Sequence, residues 1–159
     1  MNGAEFTGAD EHQRFMRVAL QMAERGMAAG GPPVGACLVH DGVIVSRAQN
    51  AVVADLDVTA HAEIAVIRDA CRELQKLSLT PSTLYVTVEP CAMCFAASYY
   101  AGIEQIFFGA GIAAMAARTG AELAATSELL TTVAGMPRLI GGVLDAECRA
   151  LLDAWRPPT

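Results

Sequence analysis

Apolar residues recur at Phe15, Val18, Ala19 and Met22, the spacing of one helix face. Asp10 precedes them, with Glu11 and Gln13 in the first turn, so a helix is predicted to start at Asp10. Residues 1–9 read as a loose arm. Gly30-Gly31-Pro32-Pro33 stops the helix. Two short apolar runs follow, Val34–Val39 and Val43–Val45, separated by His40-Asp41-Gly42. Asp-Gly favours a tight turn, which predicts two antiparallel strands. Asn50–Ala60 reads as a loop. Ile64, Ile67, Ala70, Cys71 and Leu74 then return to helical spacing, predicting a helix over His61–Gln75.

A strand is predicted at Leu84–Val88, stopped by Pro90, then a helix over Cys91–Ala101 and a strand over Gln105–Phe108. Alternating strands and helices predict parallel neighbouring strands with helices on the sheet faces. Beyond Gly109 the pattern weakens: Ile112–Ala134 reads as partly helical and Arg138–Val143 as a fifth strand. Asp145 caps a last helix with Leu151, Leu152 and Trp155 on its apolar face. The expected fold is a single α/β domain over residues 1–159, a three-layer α/β/α sandwich on a mixed sheet of about five strands.

The 159 residues are 53% hydrophobic and 18% charged, enough apolar content for a sizeable core and too much for a disordered chain. The longest stretch without a charged residue, Gly26–His40, is short and broken by glycine and proline, so no membrane span is expected. Residues Met1–Asp10 lack the basic and apolar regions of a secretory signal, so the expected location is the cytoplasm. The net charge is −6 and the arginines are scattered, which weighs against a nucleic-acid partner. The odd set Cys37, Cys71, Cys91, Cys94 and Cys148 argues against a disulfide framework. His12 and His40 have no partner at telling spacing and read as surface residues.

Two motifs carry chemistry: His61-Ala62-Glu63 and Pro90-Cys91-Ala92-Met93-Cys94, each opening a predicted helix. Cys91 and Cys94, three apart, share a helix face in the first turn, where unpaired N–H groups favour thiolate. With an imidazole from His61 they form a donor set suited to one Zn²⁺. Three protein ligands leave a position for water, the mark of a catalytic zinc, and Glu63 is placed to move protons. The combined pattern H-x-E with P-C-x-x-C matches the general zinc deaminase signature.

On these motifs the chain resembles the cytidine deaminase-like superfamily over Arg14–Trp155. Thr59-Ala60-His61-Ala62-Glu63 and Glu89-Pro90-Cys91-Ala92-Met93-Cys94 are similar to bacterial guanine deaminases and to tRNA adenosine deaminases. Gly30-Gly31-Pro32-Pro33-Val34-Gly35 resembles a stretch of fungal cytosine deaminases, as does the final helix. The resemblance implies hydrolytic deamination, with water activated at zinc attacking the amine-bearing ring carbon and Glu63 passing protons to the ring nitrogen and the leaving amine. It also implies a homo-oligomer, expected as a dimer. The main-chain N–H of Ala62 and the side chain of Asn50 are candidate substrate contacts. Asn50 also reads as a loop residue that serves its own backbone.

Tyr99 and Tyr100 match an aromatic pair of guanine deaminases and are candidate stacking contacts, with core or dimer packing as the alternative. The expected substrate is a free nucleobase or nucleoside, guanine-like purines ahead of cytosine. Two departures bear on it. The tRNA enzymes usually carry basic residues that this acidic chain lacks as a cluster. The acidic residue that guanine deaminases use after the fourth strand is missing from Gly109–Ala121, Glu122 being the first carboxylate. Gly109–Thr132 is the segment expected to close over the pocket and set specificity. tRNA adenosine deamination is the alternative activity. A non-enzymatic zinc module would need a fourth ligand such as Cys37 or Cys148, and a thiol redox pair would leave His61 and Glu63 without a role.

Overall fold

The computed structural model describes residues 8–120 and 132–157. The elements run α1 (Gly8–Ala28), β1 (Gly35–His40), β2 (Val43–Gln49), α2 (Val52–Asp55), α3 (Ala62–Leu74), β3 (Ser82–Val88), α4 (Ala92–Tyr100), β4 (Gln105–Ala110), α5 (Ile112–Thr119), β5 (Arg138–Ile140) and α6 (Asp145–Ala154). The sheet order is β2-β1-β3-β4-β5. The Asp41-Gly42 turn joins β1 and β2 as an antiparallel hairpin with a bulge at Leu38/Val39, and β1 also runs antiparallel to β3. β3, β4 and β5 are mutually parallel. The sheet is therefore mixed and five-stranded, as the alternation along the chain implied.

Helices cover both faces. α3 packs on β1 and β2 and touches α4, while α1 crosses β1, β2 and β3 and meets α6, which lies on β4. All six β1 residues are buried, as a strand covered on both faces must be. The core joins Met16 and Ala19 of α1, Leu38 of β1, Val66 of α3, Leu84 and Val86 of β3, Phe95 of α4, Ile106 of β4 and Leu152 of α6. Two glycines set the helix-to-sheet distance. A Cβ on Gly35 would collide with the backbone of Ala19 and Ala23, and one on Gly109 with the side chain of Cys148.

Several boundaries differ from the sequence expectation. α1 starts at Gly8 rather than Asp10, so residues 8 and 9 belong to the helix; the rest of the predicted arm lies outside the described residues. β2 continues to Gln49 because it pairs with β1 along its whole length. The loop after Asn50 contains the short α2, closed by Leu56 in a left-handed conformation. Of the weak segment after Gly109, Ile112–Thr119 is helical, and residues 121–131, Glu122 included, lie outside the described residues. β5 covers only Arg138–Ile140. Asp145 is the first helical residue of α6 and Leu144 the cap.

Of the two histidines expected at the surface, His40 is buried and His12 is half-buried. His40 is buried because register places it opposite Ser82, and its Nδ1 lies 2.9 Å from Ser82 Oγ and 3.2 Å from the Leu79 carbonyl oxygen. His12 stacks on Phe107 at 3.9 Å between ring centres and its Nδ1 lies 2.8 Å from the Tyr85 hydroxyl. Among the described residues no helix is long and apolar enough to cross a membrane.

Candidate metal centre

Two helix beginnings meet at one place. α3 starts at Ala62 with His61 as its cap residue, and α4 starts at Ala92 with Cys91 as its cap residue. Both cap residues have extended backbone, and the carbonyl of each accepts the first helical bond, His61 O from Ala65 N–H at 3.0 Å and Cys91 O from Phe95 N–H at 2.9 Å. Cys91 is thus one residue ahead of the helical turn that the sequence spacing assigned it, and only Cys94 lies within that turn. Unpaired N–H groups at both helix starts make the local potential positive.

His61 Nδ1 lies 3.7 Å from Cys91 Sγ and 3.5 Å from Cys94 Sγ, and the three donor atoms fall within 4.8 Å of one another. Zinc bonds of about 2.3 Å to sulfur and about 2.0 Å to nitrogen at a tetrahedral angle require roughly 3.5 Å between such donors. The spacing found therefore fits one zinc ion. No other His, Cys, Asp or Glu of the described residues joins this group. Cys37 and Cys148, the sequence candidates for a fourth ligand, are buried elsewhere in the core, and burial pushes each thiol up to about 12. All five cysteines are free.

The electrostatics follow from burial and contact. A hydrogen bond from Cys94, together with those from His61 and the Cys94 N–H, lowers Cys91 to about 4 despite its burial. The same shared proton, with burial, raises Cys94. His61 is raised, first by its contact with Cys91. Glu63 is buried at 3% exposure, and desolvation pushes its carboxyl up to about 7. Its Oε2 is the buried side-chain oxygen with no hydrogen-bond partner among the described residues.

His61, Glu63 and Cys91 form the polar floor of a small cavity of about 50 Å³. Val34, Val88, Ile112 and Met115 supply apolar walls, and Glu89 is a second carboxylate at its edge. Ala62 is fully buried, and as the first residue of α3 its N–H has no partner inside the helix. Asn50 is buried and its backbone N–H donates to Val34 O at 2.8 Å. Its Oδ1 accepts from Val52 N–H at 3.1 Å, so that oxygen serves its own loop.

The tyrosine pair stands apart from the metal donors. Tyr99 and Tyr100 pack edge to face at 5.5 Å, exposed by 38% and 82%, at the far end of α4 from Cys91. Five to nine residues of helical rise put them roughly 8–13 Å along the axis from Cys94 and Cys91. They do not line the cavity of their own chain. The wall residues Ile112 and Met115 fall in the segment expected to close over the pocket, but its weak periodicity singles out neither residue. Glu89 was in view beside Pro90 and Cys91, but nothing in the spacing assigned it a contact.

A mixed α/β/α fold with an imidazole and two sulfurs at paired helix starts defines a zinc-binding domain of the deaminase type. The chain belongs to the family described as the cytidine and deoxycytidylate deaminase zinc-binding region, which matches residues 9–110. A tRNA-specific adenosine deaminase of Aquifex aeolicus is 46% identical over 96 residues, covering 60% of this chain and 64% of the relative. A guanine deaminase of Bacillus subtilis is 42% identical over 100 residues, covering 62% of this chain and 64% of the relative. The chain thus spans somewhat under two thirds of the length of these relatives. A solved structure from a study of A-to-I editing by tRNA:A34 deaminases superposes with a TM-score of 0.74 at 35% identity, covering 87% of this chain and 98% of that one. The guanine deaminase structure from Nitrosomonas europaea reaches 0.79 at 23% identity, covering 89% and 82%, a likeness of fold.

Proposed function

We propose that this chain is a zinc-dependent hydrolase that removes an exocyclic amine from a free nucleobase or nucleoside as ammonia. A guanine-like purine is the favoured substrate, ahead of cytosine. The observation that carries this reading is the buried Glu63 carboxyl, with one oxygen unpartnered, beside a three-donor metal site in a cavity with apolar walls. His61, Cys91 and Cys94 would hold the zinc, which supplies the Lewis acidity that makes water a nucleophile near neutral pH.

The residues of the chain do the rest. Val34, Val88, Ile112 and Met115 hold a flat ring. Glu63, held near neutrality by burial, takes the proton of the attacking water and gives it to the adjacent ring nitrogen. It takes the second proton of that water and delivers it to the leaving amine. A carbon–oxygen bond forms, the carbon–nitrogen bond breaks, and ammonia and a ring carbonyl remain. The N–H of Ala62 is the candidate donor to the base. Asn50 is a candidate contact through its side-chain nitrogen, which donates to none of the described residues. Tyr99 and Tyr100 could touch substrate only from a second copy.

Adenosine in tRNA is the second reading, favoured by the tRNA deaminase relatives of Aquifex aeolicus and of Bacillus subtilis, the latter 33% identical over 145 residues and 88% of its length. The net charge of −6 weighs against it. Ammonia release over free bases, nucleosides and a tRNA anticodon stem-loop decides between them. Turnover of the stem-loop alone would overturn the free-base reading. A homodimer is part of the same proposal, with exposed Leu56, Leu77 and Tyr100 available for an interface, and light scattering measures it. Five free cysteines suit a reducing, cytoplasmic compartment.

A further inference from the structure

α5 is a cavity wall held from outside at both ends. It presents Ile112 and Met115 to the cavity, yet none of its eight residues is fully buried. A helix this short has little stability of its own. At its start, Gly111 has no side chain to cap it, and Glu89 Oε2 accepts from the Ile112 N–H at 3.0 Å. A carboxylate there also suits the positive end of the helix.

At the other end, Arg118 reaches α6. Its Nε donates to Leu152 O at 3.0 Å, and one terminal nitrogen donates to Asp153 O at 2.5 Å and to Trp155 O at 3.2 Å. These carbonyls end α6, where the helix leaves acceptors over and a cation is favoured. The rigid guanidinium fork meets all three at once. α6 is a firm post, because Leu152 and Trp155 are themselves buried. A cleft lined by Ala114, Ala117, Arg118, Arg149, Leu152 and Asp153 lies between the two helices, and the Arg118 hydrogen bonds cross it. Arg118 does not line the cavity.

We propose that Arg118 is a positioning residue for the substrate: by pinning α5 to the end of α6 it holds Ile112 and Met115 at the distance from Glu63 that fits a planar base. The proposal rests on the deaminase reading above.

The test uses the zinc-loaded full chain with Arg118→Ala and Arg118→Lys. Zinc content, amide hydrogen exchange, and KM and kcat are measured on the substrate that the unsubstituted protein turns over. Zinc should stay near one per chain. In Arg118→Ala the amides of 112–119 should exchange roughly tenfold faster or more, with those of α3 and α4 unchanged. KM should rise about tenfold while kcat stays within about threefold, the signature of lost binding rather than lost chemistry. Lysine, which keeps the charge without the fork, should fall between. Faster α5 exchange with unchanged KM overturns the proposal, and so does unchanged α5 exchange in Arg118→Ala. A parallel fall of zinc content and kcat also overturns it, because the residue would then be structural. An unsubstituted protein inert toward every base, nucleoside and stem-loop would sink the deaminase reading itself, and the substrate half of this proposal with it, whatever α5 does.

Discussion

The Nδ1 atom of His61 lies 3.5 Å from the sulfur of Cys94, although the two residues stand 33 positions apart and sit at the starts of different helices. A fit this close to zinc bond geometry predicts metal-linked stability. The purified protein should carry about one zinc, and His61→Ala or Cys94→Ser should lose it. At free zinc a thousandfold above its dissociation constant, binding adds about 4 kcal/mol to stability. Thermal melts with and without a chelator measure this. A chelated protein that melts at an unchanged temperature would refute the site.

Glu63→Gln keeps the shape of the side chain and removes its proton traffic. Zinc content should be unchanged and turnover should fall by at least about 10²-fold, the low end for a general acid–base group. Undiminished ammonia release by this variant would take Glu63 out of the mechanism.

Cys37 and Cys148 are buried thiols whose pKa values burial lifts to about 12. In the unfolded chain they ionise near 8.5. The folded state therefore binds more protons between those values. The stability associated with the protonated thiols is fully present below the unfolded value and is lost as pH rises toward 12. The slope should reach at most about −1.4 kcal/mol per pH unit for each thiol. Tyr85, also raised by burial, adds to it above about pH 10. Denaturant melts from pH 8 to 11 on the native chain and on Cys37→Ala/Cys148→Ala check the sign, since the double variant should show a shallower decline.

Gly35→Ala should destabilise by about 1–3 kcal/mol or more, because its methyl group meets the backbone of α1 at Ala19 and Ala23, which cannot step aside as a flexible side chain would. Gly42→Ala meets no atom within 4 Å, so its cost comes from positive φ alone and should be smaller, about 1 kcal/mol. Chemical denaturation of the two variants gives the comparison, and equal costs would deny Gly35 its packing role.

Local information in the chain was sufficient for the order of the main elements, the short α2 aside, and for the location of the chemistry. The Asp41-Gly42 hairpin, the alternation from β3 to β4, and the placement of His61 and Cys91 at helix starts all depend on turn chemistry and periodicity within a few residues. The same short range explains what stayed hidden. His40 is buried only because β1 lies beside β3, and Tyr99 and Tyr100 stand away from the cavity only because α4 carries them past the metal donors to its far end. The cavity draws its walls from Val34, Val88, Ile112 and Met115, and the tie from Arg118 reaches carbonyls 34 to 37 positions away. Such contacts arise from how sheet and helices pack over long sequence separations, which no neighbouring residue encodes. The sequence alone thus specified an imidazole, two sulfurs and a carboxyl in the right local settings, and folding specified the space between them.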